Sequence, residues 1–170
     1  MELTLRELWT VIHGMGLGAV YLLAFTGGLA GLWSLRTPLL TEAGIHERLK
    51  RLRIGLWVMA ITAWATVISG TFIVYPWYRE KIPTSPRSIL LADPALSGWH
   101  TFGMEWKEHI AWLCPILTTA VAFLVIYYGK EFINHPIFRK ISITLFCLAF
   151  VFAGIAGFLG AFITKIAPIH

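Results

Sequence analysis

Charge is scarce in this sequence of 170 residues: Asp, Glu, Lys and Arg together make up 14% of it, while 57% of the residues are hydrophobic. Ordinary soluble domains carry about 25% charged residues and about half apolar residues. The shortage of charge, with a mean hydropathy of +0.70, argues against a soluble domain and indicates a membrane protein.

Cysteine and the common ligand motifs are almost absent as well. The two cysteines, Cys114 and Cys147, lie inside apolar runs, and no CxxC, CxxCH or paired Cys/His spacing exists. This argues against a structural zinc site and against a covalently attached c-type haem. No phosphate-binding glycine motif lies in a strand–turn–helix setting, so nucleotide chemistry is not expected. The first apolar run is too long for a cleavable signal peptide.

Four apolar runs are long enough to cross a bilayer, which takes about 20 helical residues. They cover about residues 8–35, 52–77, 109–128 and 141–166. Aromatic rings near their ends, such as Trp33 and Trp77, are typical of an interfacial belt. We therefore predict an all-α integral membrane protein in which residues 1–170 form a single domain, a four-helix up-down bundle.

Lysine and arginine are concentrated in two of the connecting loops. The loops after the first and third runs carry Arg36, Arg48, Lys50, Arg51, Arg53, Lys130, Arg139 and Lys140. Because such loops stay in the cytoplasm, we predict a multi-pass protein of the inner (cytoplasmic) membrane with both termini and the long loop outside. The net charge of +5 then reflects topology, and we expect no nucleic-acid partner.

The connection over about residues 78–108 is long enough to indicate a function of its own. Trp99, Phe102 and Trp106 are spaced three and four apart, which predicts a short outer amphipathic helix before the third span. Two alternatives follow for this helix. It continues directly into the third span, or it lies on the headgroups as an interfacial anchor.

His13 lies several ångströms inside the first span, and an ionisable group at that depth is a functional candidate. Gly14 and Gly18 follow it, and such small residues allow a flat group or another helix to approach the backbone. The structural alternative is a helix-packing face on which His13 only bonds a neighbouring helix. The remaining histidines outside the spans, His46, His135 and His170, are assigned to the surface.

His109 opens the third span, which runs in the same direction as the first. Both imidazoles are therefore expected near the same leaflet on opposed helices, where bundles hold haem through two axial ligands. Two imidazoles leave iron no open position, which suits electron transfer. His100 is the alternative ligand, but nine residues are two and a half helical turns, so it is expected to point away from His109.

Glu105 precedes His109 by four residues, so its carboxylate is placed to orient the imidazole or to accept a proton from a quinol. Lys107 and Glu108 are expected to face the headgroups. A metal site of another kind is the alternative, because imidazole with thioether suits copper and imidazole with carboxylate suits iron or zinc. Its ligands would come from Met15, His100, Met104, Glu105 and His109.

Four apolar spans with histidines in the first and the third resemble the small b-type membrane cytochromes, including the cytochrome b561-like and four-helix membrane-anchor proteins. The residues that carry the resemblance are His13 and His109, with Gly14, Gly16 and Gly18 as a porphyrin-facing surface. The b561-like proteins have a second histidine pair near the other leaflet, which the spans of this chain lack.

The resemblance implies one haem b near the outer face, exchanging electrons with quinol or with an external c-type cytochrome. Such a chain would be an electron-transfer subunit of an oxidoreductase complex rather than an enzyme alone, with other subunits and the lipid bilayer as its partners. The alternative is a non-catalytic structural subunit of a respiratory or photosynthetic membrane complex.

Overall fold

The computed structural model describes residues 3–36 and 40–169, and all regular structure in this part of the chain is helical. The helices are α1 (Leu5–Ser34), α2 (Glu42–Tyr78), α3 (Pro86–Ala92), α4 (Trp99–Tyr128), α5 (Glu131–Asn134) and α6 (Pro136–Ile166). Of these, α1, α2, α4 and α6 are long and apolar enough to cross a membrane. The predicted all-α fold, with four helices that are long and apolar enough to be spans, is confirmed for this part of the chain.

Short polar signals set where the long helices begin and end. Thr4 caps α1 in a reciprocal capping box with Glu7, and the Thr41 hydroxyl accepts the backbone N–H of Gly44 at the start of α2. Pro136 occupies the first position of α6, where its missing N–H costs nothing. Gly129 ends α4 with a φ of +49°, in a region that favours glycine.

Three of the long helices contain a π-helical segment, and the three segments lie at the same end of the molecule. They are Ile12–Gly16 in α1, Gly70–Val74 in α2 and Trp99–Met104 in α4. We call this end the histidine end, and the opposite end, where α1 ends and α2 begins, the basic end. A π turn holds one extra residue, which rotates the following side chains by about 100° relative to a regular helix.

Successive long helices pack against one another, and α1 also contacts α6. Leu56, Met59, Val121 and Phe146 are fully buried between them. Gly28 allows α1 to approach closely, because a Cβ at this position would lie 2.6 Å from Cζ of Phe146. Many large apolar side chains on the outward faces are exposed, which is the arrangement expected where lipid covers a helix.

The long connection is more helical than the sequence predicts. The helix with the aromatic spacing is continuous with the third span, so α4 begins at Trp99 instead of residue 109. Continuity with the third span is the first of the two alternatives, and the position of this helix relative to the headgroups stays a prediction. The unpredicted α3 folds back onto the histidine end, where Leu90 packs in a second apolar cluster with Tyr78 and Met104.

Candidate functional site

His13 lies in the π-helical segment of α1, and its ring faces α2. Its Nδ1 is 3.0 Å from Oγ of Ser69, and the Ser69 hydroxyl donates to the carbonyl of Thr66 at 3.1 Å. Because that hydroxyl proton is already used, Ser69 accepts a hydrogen bond from Nδ1–H of His13. The tautomer that results carries its lone pair on Nε2.

The His13 ring also fills the space that Gly70 leaves free. A Cβ at Gly70 would lie 2.7 Å from Cε1 of the imidazole and 3.3 Å from its Nε2. No ordinary side chain fits at this position without displacing the ring. Gly70 is therefore part of the site. The sequence gives little sign of this role: Gly70 follows Ser69 near the end of an apolar run.

His109 is exposed on α4, and its ring folds back along its own helix. Its Nδ1 is 2.6 Å from the carbonyl oxygen of Glu105. A carbonyl only accepts, so Nδ1 carries the proton and Nε2 carries the lone pair. Within residues 3–36 and 40–169, no hydrogen bond or ring contact joins His13 to His109, and their pairing stays a prediction.

His100 differs from these two because both of its ring nitrogens have partners. It is 5% exposed. Arg87 donates from Nε to Nε2 of His100 at 3.2 Å, which leaves Nδ1–H to donate to the Tyr78 hydroxyl at 2.9 Å. With no lone pair left, His100 is unsuited to bind iron or another metal in this arrangement. It holds the connection after α2 against the start of α4.

Glu105 orients His109 through its main chain, whereas its carboxylate serves a different contact. The carboxylate forms an ion pair with Arg79 at 2.5 Å, and both side chains are about two-fifths exposed. Partial burial opposes the charge of Arg79, but Tyr75, Glu105 and Glu108 outweigh it and raise the pKa of the guanidinium above its usual range. The Glu105 carboxylate is thus paired with a permanent cation, and this pairing argues against its predicted role as a proton relay.

Lys107 and Glu108 turn inward instead of facing the headgroups as the sequence analysis expects. Cε of Lys107 reaches α6 and lies 3.0 Å from the place that a Cβ on Gly160 would take. Oε1 of Glu108 is buried without a hydrogen-bond partner in the described residues. Lys107 is close enough to act electrostatically on His13 and on Glu108, and Glu108 lies beside Tyr75.

Two of the three glycines predicted to face a porphyrin, Gly14 and Gly18, are open on their side-chain side. A Cβ at Gly14 or Gly18 would meet nothing within 4 Å, so neither glycine packs closely against another helix of the described residues. His46 and His135 are exposed, as predicted, and His170 lies outside the described residues. No group of three or more His, Cys, Asp or Glu side chains assembles a metal site in the described ranges.

The histidine end therefore brings together a histidine, a lysine and a glutamate side chain from two spans. They are His13, Lys107 and Glu108, which we call the polar cluster. Ionisable groups inside membrane spans are costly and mark pathways for ions, protons or electrons. No protein-family model, curated protein or solved structure matches this chain, so the chemistry of the site is argued from its own geometry.

Proposed function

We propose that this chain is a membrane electron-transfer subunit that binds one haem b at the histidine end through His13 and His109. It would pass electrons between quinol and a cytochrome, either a periplasmic one or one in a partner subunit. The four spans would form an up-down bundle in the cytoplasmic membrane, with the histidine end at its outer face. The contacts of each long helix with the next and of α1 with α6 support this arrangement, and the lysines and arginines of the basic end support the orientation.

The observation that carries the proposal is the hydrogen bonding of the three histidines at this end. His13 and His109 each engage Nδ1 with an acceptor and keep the lone pair of Nε2. Metal-ligating imidazoles in proteins have this pattern, in which the second nitrogen fixes the tautomer and the orientation of the ring. His100 lacks it, because Arg87 occupies its Nε2.

The donor chemistry of the two imidazoles fits a haem, which would supply a one-electron iron couple when bound. Ser69 and the Glu105 carbonyl would hold the two rings in place through Nδ1. The open faces of Gly14 and Gly18 would leave room beside α1 for a flat group or for a neighbouring subunit.

Glu108 is the better candidate for proton transfer in this proposal, in place of Glu105. Oxidation of a quinol breaks an O–H bond for each electron removed, so a nearby base must take the proton. Oε1 of Glu108 is buried and has no hydrogen-bond partner among the residues that the structure describes, whereas the Glu105 carboxylate is paired with Arg79.

Haem content and visible spectra of purified variants test the assignment. The full chain is expressed under haem-replete conditions as wild type, His13→Ala, His109→Ala and His135→Ala. The last variant is the matched control, since His135 is exposed and near the basic end. We expect reduced b-type bands in the wild type and the control, and their loss in the other two variants.

A wild-type chain without haem, or an unchanged spectrum in His13→Ala, would contradict the proposal. If both substitutions leave an assembled complex with full redox activity, the chain is a structural subunit instead. Glu108→Gln separates the proton step from haem binding: we expect an intact spectrum but slower reduction by quinol. Glu105→Gln is its control and should have the smaller effect on that rate.

A further inference from the structure

A second site lies at the basic end, in a cavity of about 380 Å³ beside the start of α2. Its lining includes four basic side chains, His46, Lys50, Arg53 and Lys130. An adjoining cavity of about 400 Å³ shares His46 and Lys130 with it. Three of these side chains come from the start of α2, and the fourth, Lys130, follows the turn at Gly129. Together they place four basic groups around one cavity.

The positive charge of this cavity is not neutralised from within the described chain. None of the four basic side chains forms an ion pair or a hydrogen bond there. Glu47 is the one acidic residue of the lining, and its carboxylate is bound by Arg51 at 2.7 Å. Arg51 is not part of the lining, so it offsets the acid and leaves the excess of positive charge inside.

Arg53 brings to the cavity a donor that has no acceptor. Its Nε is buried and has no hydrogen-bond partner in the described residues. The guanidinium lies against Gly129, where Nη2 would be 3.2 Å from a Cβ. The positive φ of Gly129 favours glycine, and a Cβ there would also force the end of the Arg53 side chain to shift slightly. A buried donor without an acceptor is unfavourable unless a ligand supplies one.

The depth of the cavity suits a group at the surface of a membrane. Helix α2 has 37 residues, whereas about 20 are enough to cross the hydrocarbon. Counted back from the histidine end, the turns from Glu42 to Arg53 extend beyond the hydrocarbon into the headgroup region. Arg53 then lies at the boundary, next to the exposed apolar side chain of Ile54.

We propose that this cavity binds a phosphate group, carried by an anionic phospholipid or as free phosphate. The fork of Arg53 suits phosphate oxygens, and the lysines add positive charge around them. Basic pockets between helices at the cytoplasmic face bind the phosphates of lipid headgroups in this way. The site is separate from the polar cluster and does not depend on the haem proposal.

Ligand-dependent thermal unfolding of the full chain in neutral detergent tests the site. The ligands are dioctanoyl phosphatidylglycerol, inorganic phosphate and the zwitterionic dioctanoyl phosphatidylcholine. A ligand that binds only the folded protein raises the melting temperature in a saturable way. We expect saturable stabilisation by phosphatidylglycerol, by inorganic phosphate or by both, and none by phosphatidylcholine.

Substitutions then locate the binding. Lys130→Gln and Arg53→Gln should each weaken the affinity about fivefold, the effect of one basic residue near a membrane surface. The matched control is Lys140→Gln, which removes an exposed charge from the same end outside the cavity. Arg53→Lys keeps the charge but not the fork, so its affinity should fall below that of the wild type.

The unfolding measurements distinguish the two sources of phosphate and can overturn the proposal. Stabilisation by phosphatidylglycerol alone identifies a lipid site, and stabilisation by inorganic phosphate alone identifies a site for free phosphate. The proposal is overturned if phosphatidylcholine stabilises equally, if no phosphate compound stabilises, or if Lys140→Gln weakens binding as much as Lys130→Gln. Should Arg53→Gln fail to fold, the surface substitution Lys130→Gln and its control still decide between these outcomes.

Discussion

Replacing Gly70 with alanine tests the position of the His13 ring, on which the haem proposal depends. The new methyl group would lie 2.7 Å from Cε1 of the imidazole, so the ring must move away from α2. Its hydrogen bond to Ser69, 3.0 Å long in the native protein, would then break. Ser69 is buried, and leaving buried polar groups unpaired costs about 1–3 kcal/mol.

Gly55→Ala is the matched control for this substitution. It lies in the same helix, and a Cβ there would meet nothing within 4 Å. Both variants gain about 1 kcal/mol from the higher helix propensity of alanine. The difference between them therefore isolates the displaced imidazole, and we expect Gly70→Ala to have the lower free energy of unfolding by about 1–3 kcal/mol.

Thermal unfolding of the two purified variants measures this difference. For a chain of 150–250 residues, each 1 kcal/mol shifts the melting temperature by about 2–4 °C. A difference of 2 kcal/mol would thus lower the melting temperature of Gly70→Ala by about 4–8 °C relative to Gly55→Ala. Equal melting temperatures would show that the ring does not lie against Gly70, and the tautomer argument for His13 would fail with it.

Two further predictions concern the ends of the spans. Tyr78→Phe leaves Nδ1–H of the buried His100 without an acceptor and should lower the free energy of unfolding by about 1–3 kcal/mol. Its control is Tyr127→Phe, at a residue that is 83% exposed, which should lower it little. Equal losses of the two variants in thermal unfolding would refute the hydrogen bond between Tyr78 and His100. Gly129→Ala forces a φ of +49° on a residue with a Cβ and should cost about 1–3 kcal/mol. Gly157→Ala, in an open helical position, is its control, and the reasoning fails if the two unfold alike.

The sequence predicts the interior of each span well and its ends poorly. Hydropathy reports which residues tolerate hydrocarbon, and that signal is strong across all four apolar runs. A helix does not end where the hydrocarbon ends, because its backbone hydrogen bonds continue into the headgroup region. Helix α2 accordingly begins at Glu42 instead of residue 52, and α4 begins at Trp99 instead of residue 109. Both extensions carry the charged side chains that hydropathy excludes from a span.

The candidate histidines show a second limit of sequence reasoning. The residue types and their depth are readable, and His13 and His109 are selected on that basis. Which ring nitrogen remains available depends on partners that lie far away in the sequence, such as Ser69 for His13 and Arg87 for His100. Only the fold supplies these partners, and they separate the two candidate ligands from the third histidine.

The direction of Lys107 and Glu108 has a cause that no regular helical period predicts. A π turn over Trp99–Met104 adds one residue to the helix and so rotates every later side chain of α4 by about 100° relative to a regular helix. Two charges expected at the headgroups are then directed toward α6 and Tyr75, while His109 becomes exposed. The matching π segments in α1 and α2 contain His13 and Gly70 at the same end. All three π segments of the described residues thus lie at the end where His13, Lys107 and Glu108 are found, whereas the start of α2 at the basic end is a regular α-helix.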